Sequence, residues 1–241
     1  MTKIFAHRGA HENVAENTIE AFERALILGA DGIELDIHYA KDGQIMVYHD
    51  FELSRLTNAK GLISDYDSHT LMQLPLWGNT RIPTLKNVLE LIKHFQTIRS
   101  TPILLNVELK AGHRMYKDIE TRTLALCEQY LSREQLIYSS FDHHALVKLK
   151  SISDDILIGV LTASSLYEPW EYLSKLKADF YHPNVSTLDS NDIEQLTSRG
   201  FRINTYTVNA PDQAQKLIEA NIHGIISDFP EKMLSLTPKD I

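Results

Sequence analysis

Eight times along this chain a short apolar run gives way to an amphipathic stretch, almost without interruption. The runs that read as strands are Lys3–Ala6, Gly32–His38, Ile103–Leu109, Gln135–Ser139, Ile156–Val160, Asp179–Tyr181, Arg202–Thr205 and Gly224–Ile226. The stretches that read as helices are Thr18–Leu28, Leu85–Phe95, Tyr116–Leu131, His143–Lys150, Trp170–Leu176, Ser190–Ser198 and Asp212–Ala220, with Phe229–Leu236 after the last strand. In Thr18–Leu28 the helical period gathers Ile19, Phe22, Ala25, Leu26 and Ile27 on one broad apolar face. Alternation of this kind forces parallel strands joined by right-handed crossovers. Eight such units make a (β/α)8 TIM barrel, and 241 residues is an ordinary length for one. An open, doubly wound sheet is the competing arrangement.

One irregularity breaks the pattern. Between the second strand and the second helix, residues 51–83 form a short insertion, and Gln44–Tyr48 adds a small strand after an Asp42-Gly43 turn. No composition shift marks a domain boundary, so residues 1–241 are expected to form one domain, ordered up to the last few residues, Thr237 to Ile241. The single cysteine, Cys127, excludes an internal disulfide and a cysteine-based zinc site, and it is expected on a helix packing face. The N-terminus lacks a signal-peptide core and no apolar run approaches the ~20 residues of a membrane span, which predicts a soluble, cytoplasmic protein. A formal net charge of −8 argues against a nucleic-acid partner. It also opposes an anionic substrate, but screening over a Debye length of ~8 Å leaves that decision to local cations.

The reactive side chains cluster at strand ends. Residues i and i+2 of a strand share a face, so Glu34 projects with Asp36, and Glu108 with Lys110. Their strands are neighbours in a barrel, and barrel active sites lie where those strands end. Three carboxylates gathered there repel unless neutralised, which a hard divalent cation does well. The plainer alternative pairs them with Lys110 or Arg8. His7 and His49 each follow a strand and can reach the same mouth as proton-transfer groups, although chance is a competitor in a chain with 11 histidines. Arg8 has a fork suited to phosphate, or to an ion pair with Glu16 or Glu34. Asp50 can orient His49 or simply start a turn. Asn17 can cap the first helix or turn its amide toward the acids. Tyr206 can flank a substrate alcohol or pack in the barrel wall. Asp228, ending the last strand before Phe229-Pro230, reads as a helix cap, and His143-His144 reads as surface.

These residues resemble the glycerophosphodiester phosphodiesterase family over almost the whole chain. The likeness runs through HRG at His7–Gly9, ENT at Glu16–Thr18, ELD at Glu34–Asp36, and Asp42-Gly43 with His49-Asp50. It continues through Leu53–Thr57, Ile82–Leu85, VELK at Val107–Lys110, SSF at Ser139–Phe141, Thr205–Asn209 and GIISDFP at Gly224–Pro230. The resemblance implies a barrel hydrolase that cleaves glycerophosphodiesters to glycerol 3-phosphate and an alcohol. It implies Glu34, Asp36 and Glu108 as ligands of one Mg²⁺ or Ca²⁺, His7 and His49 as the acid–base pair, and Arg8 and Lys110 on the phosphate. Two departures stand out: Ala15 where the family usually has proline, and Tyr206 where it commonly has tryptophan. The alternatives are activity on lysophospholipids, a barrel aldolase using Lys110 as a Schiff-base nucleophile, and a non-catalytic phosphodiester-binding barrel.

Overall fold

The structure, a computed structural model, describes residues 1–237, so the expectation for the chain end falls, from Pro238 on, outside the described residues. Eight parallel strands close into a barrel: β1 (Lys3–His7), β2 (Gly32–Tyr39), β4 (Leu104–Leu109), β5 (Leu136–Ser140), β6 (Ile158–Thr162), β7 (Phe180–Pro183), β8 (Arg202–Thr205) and β9 (Gly224–Ser227), which returns to β1. The remaining strand, β3 (Ile45–Val47), lies antiparallel on β2 outside the barrel circuit, where the sequence predicts it. Helices α1 (Ile19–Leu28), α3 (Leu85–Gln96), α4 (Ile119–Cys127), α5 (His143–Ile152), α6 (Pro169–Leu176), α7 (Ser190–Ser198) and α8 (Pro211–Glu219) alternate with the strands. α2 (Ser68–Leu71) belongs to the insertion, and α9 (Pro230–Leu234) follows β9.

Strand alternation explains both cores. All eight residues of β2 are buried. Ile33, Leu35 and Ile37 join the layer between barrel and helices, while Glu34, Asp36 and His38 occupy the alternate positions. Phe5, Ile137, Phe180 and Ile226 form a separate, smaller apolar cluster that fills the barrel. Cys127 is fully buried on α4, as expected, and burial pushes its thiol up to about 12. Three local expectations are corrected. Ile27, placed on the apolar face of α1, is 69% exposed; the buried face is Ala21, Phe22, Ala25 and Leu26. α4 begins at Ile119 rather than Tyr116, because Asp118 adopts a left-handed backbone that a helix cannot contain. His143 is not a free surface residue: its ring bridges the Tyr172 hydroxyl at 2.8 Å and the Leu161 carbonyl at 2.9 Å.

Residues 51–83 carry a small core of their own, in which Leu53, Ile63, Leu71, Leu76 and Ile82 pack with Met46 and Tyr48. Among the described residues, no helix is long and apolar enough to cross a membrane.

The turn after β1 sets the direction of the first loop. Gly9 has φ of +91°, and a Cβ there would lie 2.7 Å from the backbone carbon of Ala21. A side chain is therefore excluded both by conformation and by contact with α1. Gly9→Ala is expected to lower stability by about 1–3 kcal/mol and to reduce activity by displacing the adjoining residues. A denaturation midpoint checks the first of these; an unchanged midpoint would contradict the close approach.

Candidate active site

Strand register places the sequence-predicted acids side by side. His7 pairs in register with Glu34 across β1 and β2, and Asp36 with Glu108 across β2 and β4. The three carboxylates offer one oxygen each within 4.8 Å of one another, and their residues are only 1–8% exposed. Lys110 Nζ reaches Glu108 Oε1 at 2.7 Å and Asp36 Oδ1 at 3.3 Å. Arg8 donates through its backbone N–H to Glu34 Oε2 at 3.1 Å, and its Nε stands 3.4 Å from Asp36 Oδ2. The plainer pairing with Arg8 and Lys110 is thus present, yet it leaves three acids against two cations in a buried site.

Electrostatics shows the strain of that arrangement. Burial, then Asp36 and Glu108, push Glu34 well above the usual carboxylate range. Burial and Asp36 push Glu108 up to about 7 against the pull of Lys110. For Asp36, burial is outweighed by Lys110 and Arg8, which hold it far below its ordinary value. Lys110 itself is raised, since Asp36 and Glu108 overcome the opposing effect of burial. That speaks against the aldolase reading, in which the amine must lose its proton. Asp36 Oδ1 is buried without a hydrogen bond. An all-oxygen donor set of three carboxylates fits a hard divalent cation, which would relieve the mutual repulsion.

Both histidines have one ring nitrogen fixed by a carboxylate. His49 Nδ1 lies 2.7 Å from Asp50 Oδ1, so Asp50 orients that ring rather than only starting a turn. His7 Nδ1 lies 2.6 Å from Asp228 Oδ1. Each carboxylate accepts the Nδ1 proton, which fixes the ring's orientation and leaves Nε2 as its unprotonated nitrogen in the neutral tautomer. Burial lowers the His49 pKa. Asp228 is kept ionised: hydrogen bonds from His11 and His7 outweigh the burial that opposes them, and Asn209 donates to its second oxygen at 2.7 Å. The helix-cap reading of Asp228 is therefore corrected, because α9 is capped at Phe229 without a side-chain bond and the carboxylate turns to His7. Its position at the end of a barrel strand was the signal that could have revealed it.

Asn17 also resolves. Thr18 caps α1, accepting from the Ala21 N–H at 3.3 Å, while Asn17 Nδ2 donates to Asp36 Oδ2 at 2.8 Å. Tyr206 lines the site with its hydroxyl bonded to the Thr162 carbonyl at 2.9 Å and its ring edge-to-face with Phe141. A cavity of about 280 Å³ opens on His7, Arg8, Glu34, His49, Asn106, Glu108 and Lys110, and is completed by Phe141, Leu161, Ala163, Tyr206 and Ile226 among others. Sequence reasoning assigned no role here to Asn106, Phe141 or Leu161, whose types carry no chemical signature.

Residues 7–232 match the glycerophosphoryl diester phosphodiesterase family. The chain belongs to that family. A glycerophosphodiester phosphodiesterase of Caldanaerobacter subterraneus subsp. tengcongensis is 35% identical over 99% of this chain and 98% of that protein. Another of the same name from Bacillus altitudinis is 36% identical, with 98% of each covered. Among solved structures, an Oleispira antarctica phosphodiesterase in complex with the product sn-glycerol-3-phosphate superposes with a TM-score of 0.89 at 26% identity, covering 98% of this chain and 96% of that one.

Removing the carboxylate that fixes His7 tests the geometry without emptying the site. Asp228→Asn is expected to lower kcat about 10–100-fold with little change in the melting temperature. Activity retained within twofold, roughly the scatter of additive surface effects, would mean that His7 needs no such partner.

Proposed function

We propose that this chain hydrolyses glycerophosphodiesters, such as glycerophosphocholine or glycerophosphoethanolamine, to glycerol 3-phosphate and an alcohol. The observation that carries the reading is a trio of buried carboxylates flanked by two carboxylate-fixed histidines at one cavity. Glu34, Asp36 and Glu108 would hold one divalent cation, Mg²⁺ or Ca²⁺, which when bound withdraws charge from the phosphoryl oxygens. Charge balance supports this. Three acids face only Arg8 and Lys110, and Arg8 is shared with Glu16, so the site carries excess negative charge that a divalent cation would offset before a phosphodiester monoanion binds.

In this reading Arg8 and Lys110 bind the non-bridging oxygens, and Arg8, with its planar fork, adds direction as well as charge. Of the two histidines, one removes the proton of the attacking hydroxyl while the other supplies a proton to the leaving alkoxide, whose free alcohol is otherwise a poor leaving group. Asp228 and Asp50 hold the rings in the tautomer that keeps Nε2 for this exchange, and Asn17 fixes Asp36. Tyr206 and Phe141 form an aromatic wall for the organic arms of the substrate. A single barrel domain carries all of these groups.

Hydrolysis of glycerophosphocholine, followed as release of glycerol 3-phosphate, is expected to disappear in EDTA and return on adding Mg²⁺ or Ca²⁺. His7→Ala is expected to cost at least about 100-fold in kcat. Retention of activity in EDTA or in the variant would overturn the proposal. The pH profile gives a second check. Burial holds His49 below the ordinary imidazole value, which favours the neutral ring that can accept a proton. The rate is therefore expected to fall on the acid side as His49 charges, and on the basic side as the donor loses its proton. A flat profile between about pH 5 and 9 would contradict the pairing.

A further inference from the structure

Arg55 stands in the first turn of the insertion, at the end of the short helix Leu53–Arg55, with its side chain 45% exposed. All three of its guanidinium nitrogens are engaged. Nη2 donates to Glu16 Oε1 at 2.7 Å, Nη1 to Glu16 Oε2 at 3.1 Å, and Nε to Asp50 Oδ2. Each of those carboxylates holds a second partner. Glu16 Oε1 also accepts from Arg8 Nη1 at 2.9 Å, and Asp50 Oδ1 takes His49 Nδ1 at 2.7 Å. A continuous chain thus runs Arg8–Glu16–Arg55–Asp50–His49, beginning and ending on residues that line the cavity. Neither carboxylate touches the acidic trio, and Arg55 itself does not line the cavity.

We propose that Arg55 is a positioning residue that couples the phosphate-binding arginine to the second histidine, so that the insertion sets how Arg8 and His49 stand relative to each other. The proposal rests on the roles given to Arg8 and His49 above. Its physical basis is the shape of the guanidinium: two carboxylates from separate loops are gripped by one rigid, planar fork, so a shift of either is transmitted to the other. A lysine ammonium at this position keeps the charge but has no fixed fork, and cannot lock both geometries. A merely structural role is the competing explanation. The two differ in what they move: a carboxylate that fixes a functional side chain commonly alters activity about 10–100-fold when its support is lost, whereas a purely structural pair would move only the melting temperature.

The test is a mutant cycle on glycerophosphocholine hydrolysis, with glycerol 3-phosphate binding measured by calorimetry and melting temperatures recorded for each variant. Glu16→Gln is expected to weaken glycerol 3-phosphate binding and raise KM about tenfold, with kcat nearly unchanged, because it loosens Arg8. Asp50→Asn is expected to lower kcat about tenfold with KM nearly unchanged, because it loosens His49. Arg55→Gln should do both, and Arg55→Lys, which preserves charge, should not recover both. Glu16→Gln and Asp50→Asn should be non-additive by at least about threefold in the wild-type background and additive once Arg55→Gln is introduced. The proposal is overturned if Arg55→Gln shifts only the melting temperature, or if the non-additivity survives in its background. An inactive wild type would overturn the proposed function instead, while glycerol 3-phosphate affinity would still report whether Arg55 governs Arg8.

Discussion

Three buried carboxylates held within 4.8 Å of one another at the mouth of a barrel are the constraint on which the rest of this structure depends. Like charges out of water are costly, and a buried charge persists only when it is paired or ligating. Around Glu34, Asp36 and Glu108 the chain has therefore assembled two cations, Arg8 and Lys110, and an amide from Asn17. These come from the loop after β1, the start of α1 and the end of β4. Removing the cluster would leave each of them without its reason for being buried. The register of β1, β2 and β4 sets the cluster, and the packing of both apolar layers sets the register.

The histidines border that cluster, His7 Nε2 standing 3.9 Å from Glu34 Oε2, but their rings are fixed by separate carboxylates. Asp228 comes from the far end of the chain and Asp50 from the residue next to His49, so one ring is fixed by barrel closure and the other locally. β9 must close onto β1 for Asp228 to meet His7, which ties completion of the barrel to completion of the site. The aromatic and aliphatic remainder of the cavity gives it a second character, apolar beside charged, suited to an ester whose phosphate and organic arms differ in the same way.

Much of this was legible in the sequence, for identifiable reasons. Period-2 and period-3.6 patterns gave α7 and β8 to the residue and the barrel circuit in full, because they reflect which faces are buried. Glu34, Asp36, Glu108, His7 and His49 were readable because polar groups at the ends of apolar strands are anomalous. What could not be read were pairings between distant segments: Asp228 looked like a cap because sequence shows its neighbours Phe229 and Pro230 and not His7. Asn17 and Thr18 were ambiguous because either can cap, and the choice was made by Asp36 across the barrel. Arg55 lies in the Leu53–Thr57 segment of the family likeness, but no role could be read for it, because only the fold brings Glu16 and Asp50 to it.

The insertion's small core has a consequence for how the site is held together. It is separate from the main barrel layers but shared, because Ala15, Met46 and Tyr48 pack into it, which ties residues 51–83 to the segments that carry Glu16 and His49. Arg8 keeps its contacts with Glu34, Asp36 and Glu16, and His49 its contact with Asp50, whatever Arg55 does, so the insertion adjusts these two side chains rather than anchoring them. The barrel thus supplies the anchors, and the appended segment the alignment between them.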